Sequence, residues 1–292
     1  MHFNARLAAA QQRHDSLLCV GLDPEPERFP LPWRGDPGRI FDFCSAIVDA
    51  THDLVCAFKP QIAYFAAHRA EEQLERLIAH IRRVAPAVPV ILDAKRGDIG
   101  STAAQYAREA FVRYQCDAVT LSPFMGFDSI EPYLAYPGRG LILLCHTSNV
   151  GGADLQDQRL AQGDRLYEHI ARLAAGPWNR DGNLGLVVGA TFPAELARVR
   201  ELAPTLPLLI PGVGAQGGDV QATVAAAWRK DGAIIVNASR SVLYAGDAAP
   251  ATSGPAGGEA AMATYAAAAR LAARQARDQL AAACAARPAP RP

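Results

Sequence analysis

Eight short runs dominated by valine, isoleucine and leucine punctuate the chain, at residues 17–23, 54–59, 88–95, 118–122, 140–146, 184–190, 206–212 and 233–238. Each is close to continuous in apolar residues rather than alternating. Such runs predict parallel strands buried on both faces. Between them lie stretches rich in alanine, leucine, arginine and glutamate, among them 71–85, 101–114, 165–175, 193–202, 218–230 and 259–286, which predict helices. Strand–helix alternation repeated eight times is the count of a (β/α)8 TIM barrel, an α/β fold that takes ~250 residues as one domain. The pattern predicts a single barrel domain over residues 1–286 and a flexible tail at 287–292. A doubly wound open sheet would use the same alternation. Against it, the first strand is followed by Gly21-Leu22-Asp23-Pro24 and not by a G-x-G-x-x-G turn.

Two segments read as additions to the barrel. Residues 23–39 are rich in proline and predict an ordered loop, whereas 245–258 is low in information and predicts a mobile one. With 292 residues the chain can build a full core without disulfides or a structural metal. Its 29 basic and 29 acidic side chains cancel, which argues against a protein that grips nucleic acid or an anionic membrane. No apolar run approaches the ~18 residues of a membrane span. The Leu-Ala stretch before Gln11, Gln12 and Arg13 is too short for the core of a signal peptide. The six cysteines are scattered and form no C-x-x-C pair, so they read as small core residues in a reducing compartment. The expectation is a cytoplasmic protein.

Side chains at the C-terminal ends of barrel strands face the active site. The first strand ends in Asp23, the second in Lys59 and the third in Asp93-Ala94-Lys95, with Asp98 and Thr102 close behind. Two-residue spacing puts Asp93 and Lys95 on one face of a strand. The fifth strand ends in His146-Thr147-Ser148-Asn149 and the eighth in Asn237-Ala238-Ser239-Arg240. Lys59, Asp93, Lys95 and Asp98 put ionisable groups where a core would otherwise continue. Alternating ammonium and carboxylate groups keep one another ionised in a partly dry site. A lysine held protonated between carboxylates can give a proton to a developing carbanion. The plain alternative is a salt-bridged rim with Asp98 as N-cap of the next helix. After the seventh strand, the glycines of 212–218 and a helix starting near Gly218 can present N–H groups to an anion. Arg240 adds a planar cation for phosphate oxygens. Here the plain alternative is a set of tight turns. His2, His14, His52, His68, His80 and His169 fall on helices or termini without metal-binding spacing. Neither a G-x-S-x-G elbow nor a G-x-x-x-x-G-K-[ST] loop occurs.

Together these residues resemble the orotidine 5′-phosphate decarboxylases, in their bacterial type 2 form. The matching pieces are G-L-D-P at 21–24, F-K-P at 58–60, L-D-A-K-R-G-D-I-G-S-T at 92–102, T-S-N at 147–149, P-G-V-G-A-Q-G-G at 211–218 and S-R at 239–240. They follow the family's order. The 93–102 stretch is highly specific; the glycine run alone would not be. No departure occurs at these positions, and the two long loops suit the type 2 group. The resemblance implies a (β/α)8 barrel working as a homodimer with shared active sites. It implies conversion of orotidine 5′-monophosphate to UMP and CO2, the last step of de novo pyrimidine synthesis, with no cofactor and no metal. It assigns Lys95 as proton donor to C6, within a charged network of Lys59, Asp93 and Asp98 of the partner subunit, the last accompanied by Thr102. Asp23 and Lys59 would hold ribose hydroxyls and Ser148 the pyrimidine. Gln216, Arg240 and the backbone at Ser239 would hold the phosphate. The chemistry fits: losing CO2 from C6 leaves a carbanion with no π-system to spread into, so fixed charge must stabilise it. Each factor of ten in rate needs about 1.4 kcal/mol of preferential transition-state stabilisation. Part can come from the remote phosphate and loop closure. Repulsion between Asp93 and the substrate carboxylate ranks second.

Three other readings share some of these features. A barrel enzyme of the 3-keto-L-gulonate 6-phosphate decarboxylase or hexulose-phosphate synthase type would carry D-x-K-x-x-D with Mg2+ at its carboxylates. A Schiff-base aldolase would need a poorly charged lysine, whereas Lys95 is flanked in sequence by Asp93 and Asp98. A non-catalytic phosphoribosyl-ligand sensor has no use for paired lysines beside two carboxylates.

Overall fold

The computed structural model describes residues 2–31, 33–213, 217–248 and 258–286, with 258–260 described as backbone. Eight strands form its centre: β1 (Leu18–Leu22), β2 (Ala57–Pro60), β3 (Ile91–Arg96), β4 (Ala118–Leu121), β5 (Gly140–His146), β6 (Leu184–Val188), β7 (Leu208–Pro211) and β8 (Ile234–Ala238). All eight arise from the apolar runs predicted above. Their order is β2-β1-β8-β7-β6-β5-β4-β3, and every ladder is parallel. Isolated bridges Phe58↔Val90 and Gln61↔Asp93 join the ends of this order, β2 and β3. The sheet is therefore a nearly closed barrel, and the open-sheet alternative falls.

The helices surround it: α1 (Phe3–His14), α2 (Ile40–Thr51), α3 (Ile62–Ala66), α4 (Glu71–Val84), α5 (Gly100–Arg108), α6 (Leu166–Ala175), α7 (Pro193–Leu202), α8 (Val220–Ala227), α9 (Arg240–Leu243) and α10 (Gly258–Ala285). Each of the longer ones turns an apolar stripe to the strands. In α4 the buried residues Leu74, Leu77, Ile78 and Ile81 recur at the i, i+3, i+4, i+7 spacing of one helical face. The segment expected to be helical to 114 is α-helical only to Arg108 and continues as a π-helix over Glu109–Arg113. The long α10 packs on α2 and α8, closing the ring as its alanine-rich sequence suggests.

Inside the barrel, Cys19, Ala57, Ile91, Ala118, Ile142, Val187, Leu209 and Ile235 form one apolar layer with a residue from each strand. Phe3 and Leu7 of α1 join this layer and seal it at the N-terminal end of the strands. The Leu-Ala stretch near the N-terminus is thus a plug.

The proline-rich loop is ordered through 3-10 turns at Pro26–Arg28 and Pro37–Arg39. Phe29 stacks on Phe43 of α2 at 4.4 Å between ring centroids. Residues 245–248, expected to be mobile, instead form a 3-10 turn held by Arg28 and Tyr265 on Asp247. Charge pairing explains the difference, since Asp247 has two partners the local sequence does not reveal. The rest of that expectation, at 249–257, and the tail at 287–292 lie outside the described residues.

Candidate active site

Two residues along four of the strands from the sealed layer, the inward positions turn polar. Lys59 follows Ala57, Asp93 follows Ile91, Thr120 follows Ala118, and Asn237 follows Ile235. These polar groups, with Leu144 and Pro211, line a cavity of about 580 Å³ at the C-terminal mouth of the barrel. That volume suits a small ligand, for which ~300–1,000 Å³ is usual.

The floor is a bridged charge cluster. Lys59 Nζ donates to Asp93 Oδ2 at 2.8 Å, and Lys95 Nζ donates to Asp93 Oδ1 at 2.6 Å. Lys59 and Asp93 are buried, while the Lys95 side chain is 44% exposed. Burial opposes charge on Asp93, yet Lys59 and Lys95 outweigh it and hold the carboxyl well below the usual carboxylate range. Burial opposes charge on Lys59 as well. Asp93 and then Asp23 reverse that and raise its pKa above the ordinary lysine value.

Local backbone sets this geometry. Lys95 has φ 47°, in the left-handed region, and the β3–β4 register shifts between Leu92 and Arg96. Simple two-residue alternation therefore does not place Lys95; a bulge does, aiming its ammonium back at Asp93. The Thr120 hydroxyl donates to Asp93 Oδ1 at 2.9 Å and accepts from the N–H groups of Ala94 and Lys95 at 3.0 and 2.9 Å.

Asp23 faces the cavity from β1, and its Oδ1 is buried without a hydrogen-bond partner among the described residues. Tyr244 pins this turn: its hydroxyl donates to the Asp23 carbonyl at 2.8 Å and accepts from Glu25 N–H at 2.7 Å. On the opposite wall Thr147, Ser148 and Asn149 follow β5. Gln156 fastens them, accepting from Thr147 N–H at 2.8 Å and donating to Thr147 Oγ1 at 2.9 Å. A Cβ on Gly189 would stand 2.7 Å from the Ser148 backbone, so only glycine lets β6 approach this wall.

At the far end Gly212, Val213, Ser239 and Arg240 line the cavity. A Cβ on Gly21 would meet Ser239 Oγ at 2.0 Å, so β1 needs glycine for β8 to bring Ser239 this close. Gln216 lies outside the described residues. The helix expected from Gly218 begins at Val220, because the Asp219 side chain caps it, accepting from Ala222 N–H at 2.7 Å.

Asp98 and Thr102 do not line the cavity of their own chain. Nor is Asp98 the N-cap: Ile99 holds that position, and Asp98 Oδ1 accepts from Ile99 N–H at 2.8 Å. The cap shifts because α5 starts at Gly100. Ile99, next to Asp98 in the chain, is 48% exposed, and Phe124 and Met125 after β4 are 74% and 45% exposed.

Of the expected residues, one chain brings together Asp23, Lys59, Asp93, Lys95, Ser148, Ser239 and Arg240. The sequence reading missed Thr120, Gln61, Tyr64 and Gln156, and named Asn237 at its strand end without giving it a role. For Thr120 a signal existed, since it is a polar residue inside an apolar run, two positions beyond Ala118. Among the described residues no group of three or more His, Cys, Asp or Glu is disposed to hold a metal ion, and no helix is long and apolar enough to cross a membrane.

A parallel eight-stranded barrel with a lysine–aspartate–lysine floor and an arginine at the end of β8 defines a barrel protein with a pocket suited to an anionic small molecule. The comparisons agree. The model of the orotidine 5′-phosphate decarboxylase / HUMPS family matches residues 16–253, and the chain belongs to that family. It is 77% identical over 254 residues to the orotidine 5′-phosphate decarboxylase of Methylibium petroleiphilum, covering 84% of this chain and 91% of that one. The Paracidovorax citrulli enzyme of the same name is 69% identical over 283 residues, covering 96% and 98% of the two chains. Among solved structures, Leishmania donovani OMP decarboxylase superposes with a TM-score of 0.81 at 38% identity, covering 98% of this chain and 100% of that one.

Proposed function

We propose that the chain decarboxylates orotidine 5′-monophosphate to UMP and CO2, with Lys95 as the proton donor. The observation that carries this reading is Asp93 bridged by Lys59 and Lys95 on the cavity floor, with Arg240 at the opposite end. The phosphate anchors at Arg240, with Gln216 and the Ser239 backbone beside it. Asp23 and Lys59 take the ribose hydroxyls, and Ser148 the pyrimidine. The C6 carboxylate then lies over the charged floor. As the C6–CO2 bond breaks, its electron pair stays on C6, where the Lys95 ammonium stabilises it at no reorganisation cost. The pair then takes a proton from Lys95 Nζ, giving UMP. Lys95, partly open to solvent, regains a proton from water.

The same reading places two chains around each site. Asp98 and Thr102 sit outside their own cavity, and Ile99, next to Asp98 in the chain, is an exposed apolar residue. An exposed apolar residue next to a carboxylate suits a two-fold contact that delivers the carboxylate to a neighbour. The free cysteines, five of them buried, fit a reducing compartment such as the cytoplasm. Loss of the substrate's absorbance on adding orotidine 5′-monophosphate tests the reaction, and insensitivity to EDTA separates it from Mg2+-dependent sugar-phosphate lyases of the same fold. Lys95→Ala should remain folded and lose at least about a hundredfold in kcat. Retention of more activity would remove Lys95 as donor.

A further inference from the structure

The Thr120 hydroxyl stands at the junction of the two features that set the charged floor. It meets the Asp93 carboxylate on one side and the backbone at Lys95 on the other. We infer that Thr120 is a positioning residue for the decarboxylation, holding Asp93 and the left-handed Lys95 backbone in the arrangement that aims the Lys95 ammonium. This rests on the reaction proposed above.

The donor and acceptor count explains why a hydroxyl is needed. A hydroxyl has one proton to give and two lone pairs to accept with. Asp93, ionised, can only accept, so the Thr120 proton goes to Oδ1 at 2.9 Å. Both lone pairs are then open to N–H groups, and Ala94 and Lys95 supply them at 3.0 and 2.9 Å. All three capacities are used.

The contact also matters for backbone energy. A lysine at positive φ lies in a region that costs a residue bearing a Cβ, so something outside the residue must hold it there. The register shift between Leu92 and Arg96 removes regular ladder bonding over this stretch. The Thr120 oxygen takes up the N–H groups left over. Thr120 is itself buried, on β4, and paired in regular register with Ile142 of β5. A rigid strand thus fixes the irregular one.

Thr120 does not reach the reacting carbon in this reading, so its removal should act on turnover and leave substrate binding at the phosphate alone. Thr120→Val keeps the shape and deletes the hydroxyl. Its kcat should fall by about 10- to 100-fold, the range of a hydrogen bond to a charged group, with KM within about threefold of wild type. Thr120→Ser keeps the hydroxyl and should retain kcat within about threefold. Thr120→Ala carries the same expectation as Thr120→Val and serves if that variant does not fold. Wild-type kcat in Thr120→Val or Thr120→Ala would overturn the inference. So would equal losses in the serine and valine variants, since serine keeps the hydroxyl and valine does not. Absence of turnover in the wild-type chain would count against the reaction instead. The geometry is then read directly: in a crystal structure of Thr120→Ala, Lys95 should leave positive φ and its Nζ should separate from Asp93. An unchanged Lys95 there would overturn the inference whatever the reaction.

Discussion

Asp93→Asn removes the carboxylate that bridges the Lys59 and Lys95 ammonium groups while keeping the side chain's shape. Three donors converge on Asp93: Lys59 Nζ at 2.8 Å, Lys95 Nζ at 2.6 Å and Thr120 Oγ1 at 2.9 Å. An amide offers one accepting oxygen and turns an NH2 group toward a donor. The larger loss falls on Lys59, buried with its side chain 6% exposed. Leaving a buried charge without its partner costs about 3–5 kcal/mol. The Lys95 contact, with that side chain 44% exposed, adds only ~0–1 kcal/mol after solvent screening. A chain somewhat smaller than this shifts by ~2–4 °C in Tm per kcal/mol, so the variant should melt roughly 6–24 °C below wild type at pH 7.

The pH dependence is a sharper check. Asp93 has a folded pKa below its ordinary 3.8, so its contribution is fully present above that value and fades as pH falls further. Lys59 is raised above its ordinary 10.5, so its contribution is fully present below that value and fades as pH climbs through the folded pKa. The gap in Tm should therefore be flat from about pH 5 to pH 9 and narrow toward pH 3. In the variant Lys59 is left in a dry site without its main counter-charge, so it sheds its proton more readily and the gap also narrows in alkali. Thermal melts of both proteins across this range decide the matter. A gap below about 2 °C at pH 7, or one that persists undiminished at pH 3, would refute the claim that Asp93 is an anion held by two cations.

Arg240→Ala should raise KM for orotidine 5′-monophosphate by about 30- to 150-fold, the equivalent of ~2–3 kcal/mol for a charge-assisted phosphate contact, and leave orotidine turnover unchanged. Equal losses for both substrates would mean Arg240 acts elsewhere than on the phosphate. Arg200, buried at the opposite end of the barrel, donates to the carbonyls of Ala203, Pro204, Leu206, Ala227 and Ala233. Arg200→Met should therefore lower stability by about 3–5 kcal/mol in denaturant melts without changing kcat, since those oxygens lose their donor. Mixing inactive Lys95→Ala and Asp98→Ala chains under subunit exchange should restore about a quarter of wild-type activity, because half the dimers are mixed and each has one intact site. No recovery, with mixed dimers shown by mass spectrometry, would place Asp98 in its own subunit's site.

The barrel was legible because its strands are buried on both faces, which leaves unbroken apolar runs that end where the chemistry begins. The same property exposed Lys59 and Asp93, charges set two residues past Ala57 and Ile91. Features that depend on backbone irregularity were not legible. Nothing in D-A-K-R announces that Lys95 sits at positive φ, or that Ile99 rather than Asp98 occupies the cap of α5. The turn at 245–248 looked unstructured because its anchors, Arg28 and Tyr265, are far away in sequence. Thr120 was overlooked for a different reason: threonine is a common strand former, and only the layer arithmetic marks it as inward.

A buried ion pair is a costly way to fill a barrel. Apolar side chains of similar volume in place of Lys59 and Asp93 would often leave the fold as stable or more so. All eight strands show the cheaper solution one layer deeper, where apolar side chains meet on the axis without a charge. The change in character two residues on is therefore set against stability by the chemistry of the mouth. Within that layer Thr120 keeps the cost down, since it uses all of its hydrogen-bonding capacity on Asp93, Ala94 and Lys95. The residual imbalance at the mouth is positive, since Lys59, Lys95 and Arg240 outnumber Asp23 and Asp93 among the residues that line the cavity. An anionic substrate, or a carboxylate such as Asp98 of the partner subunit, would neutralise it. In the proposed reaction, the charge left over in a single chain would serve both the anionic substrate and the carboxylate of a neighbouring chain.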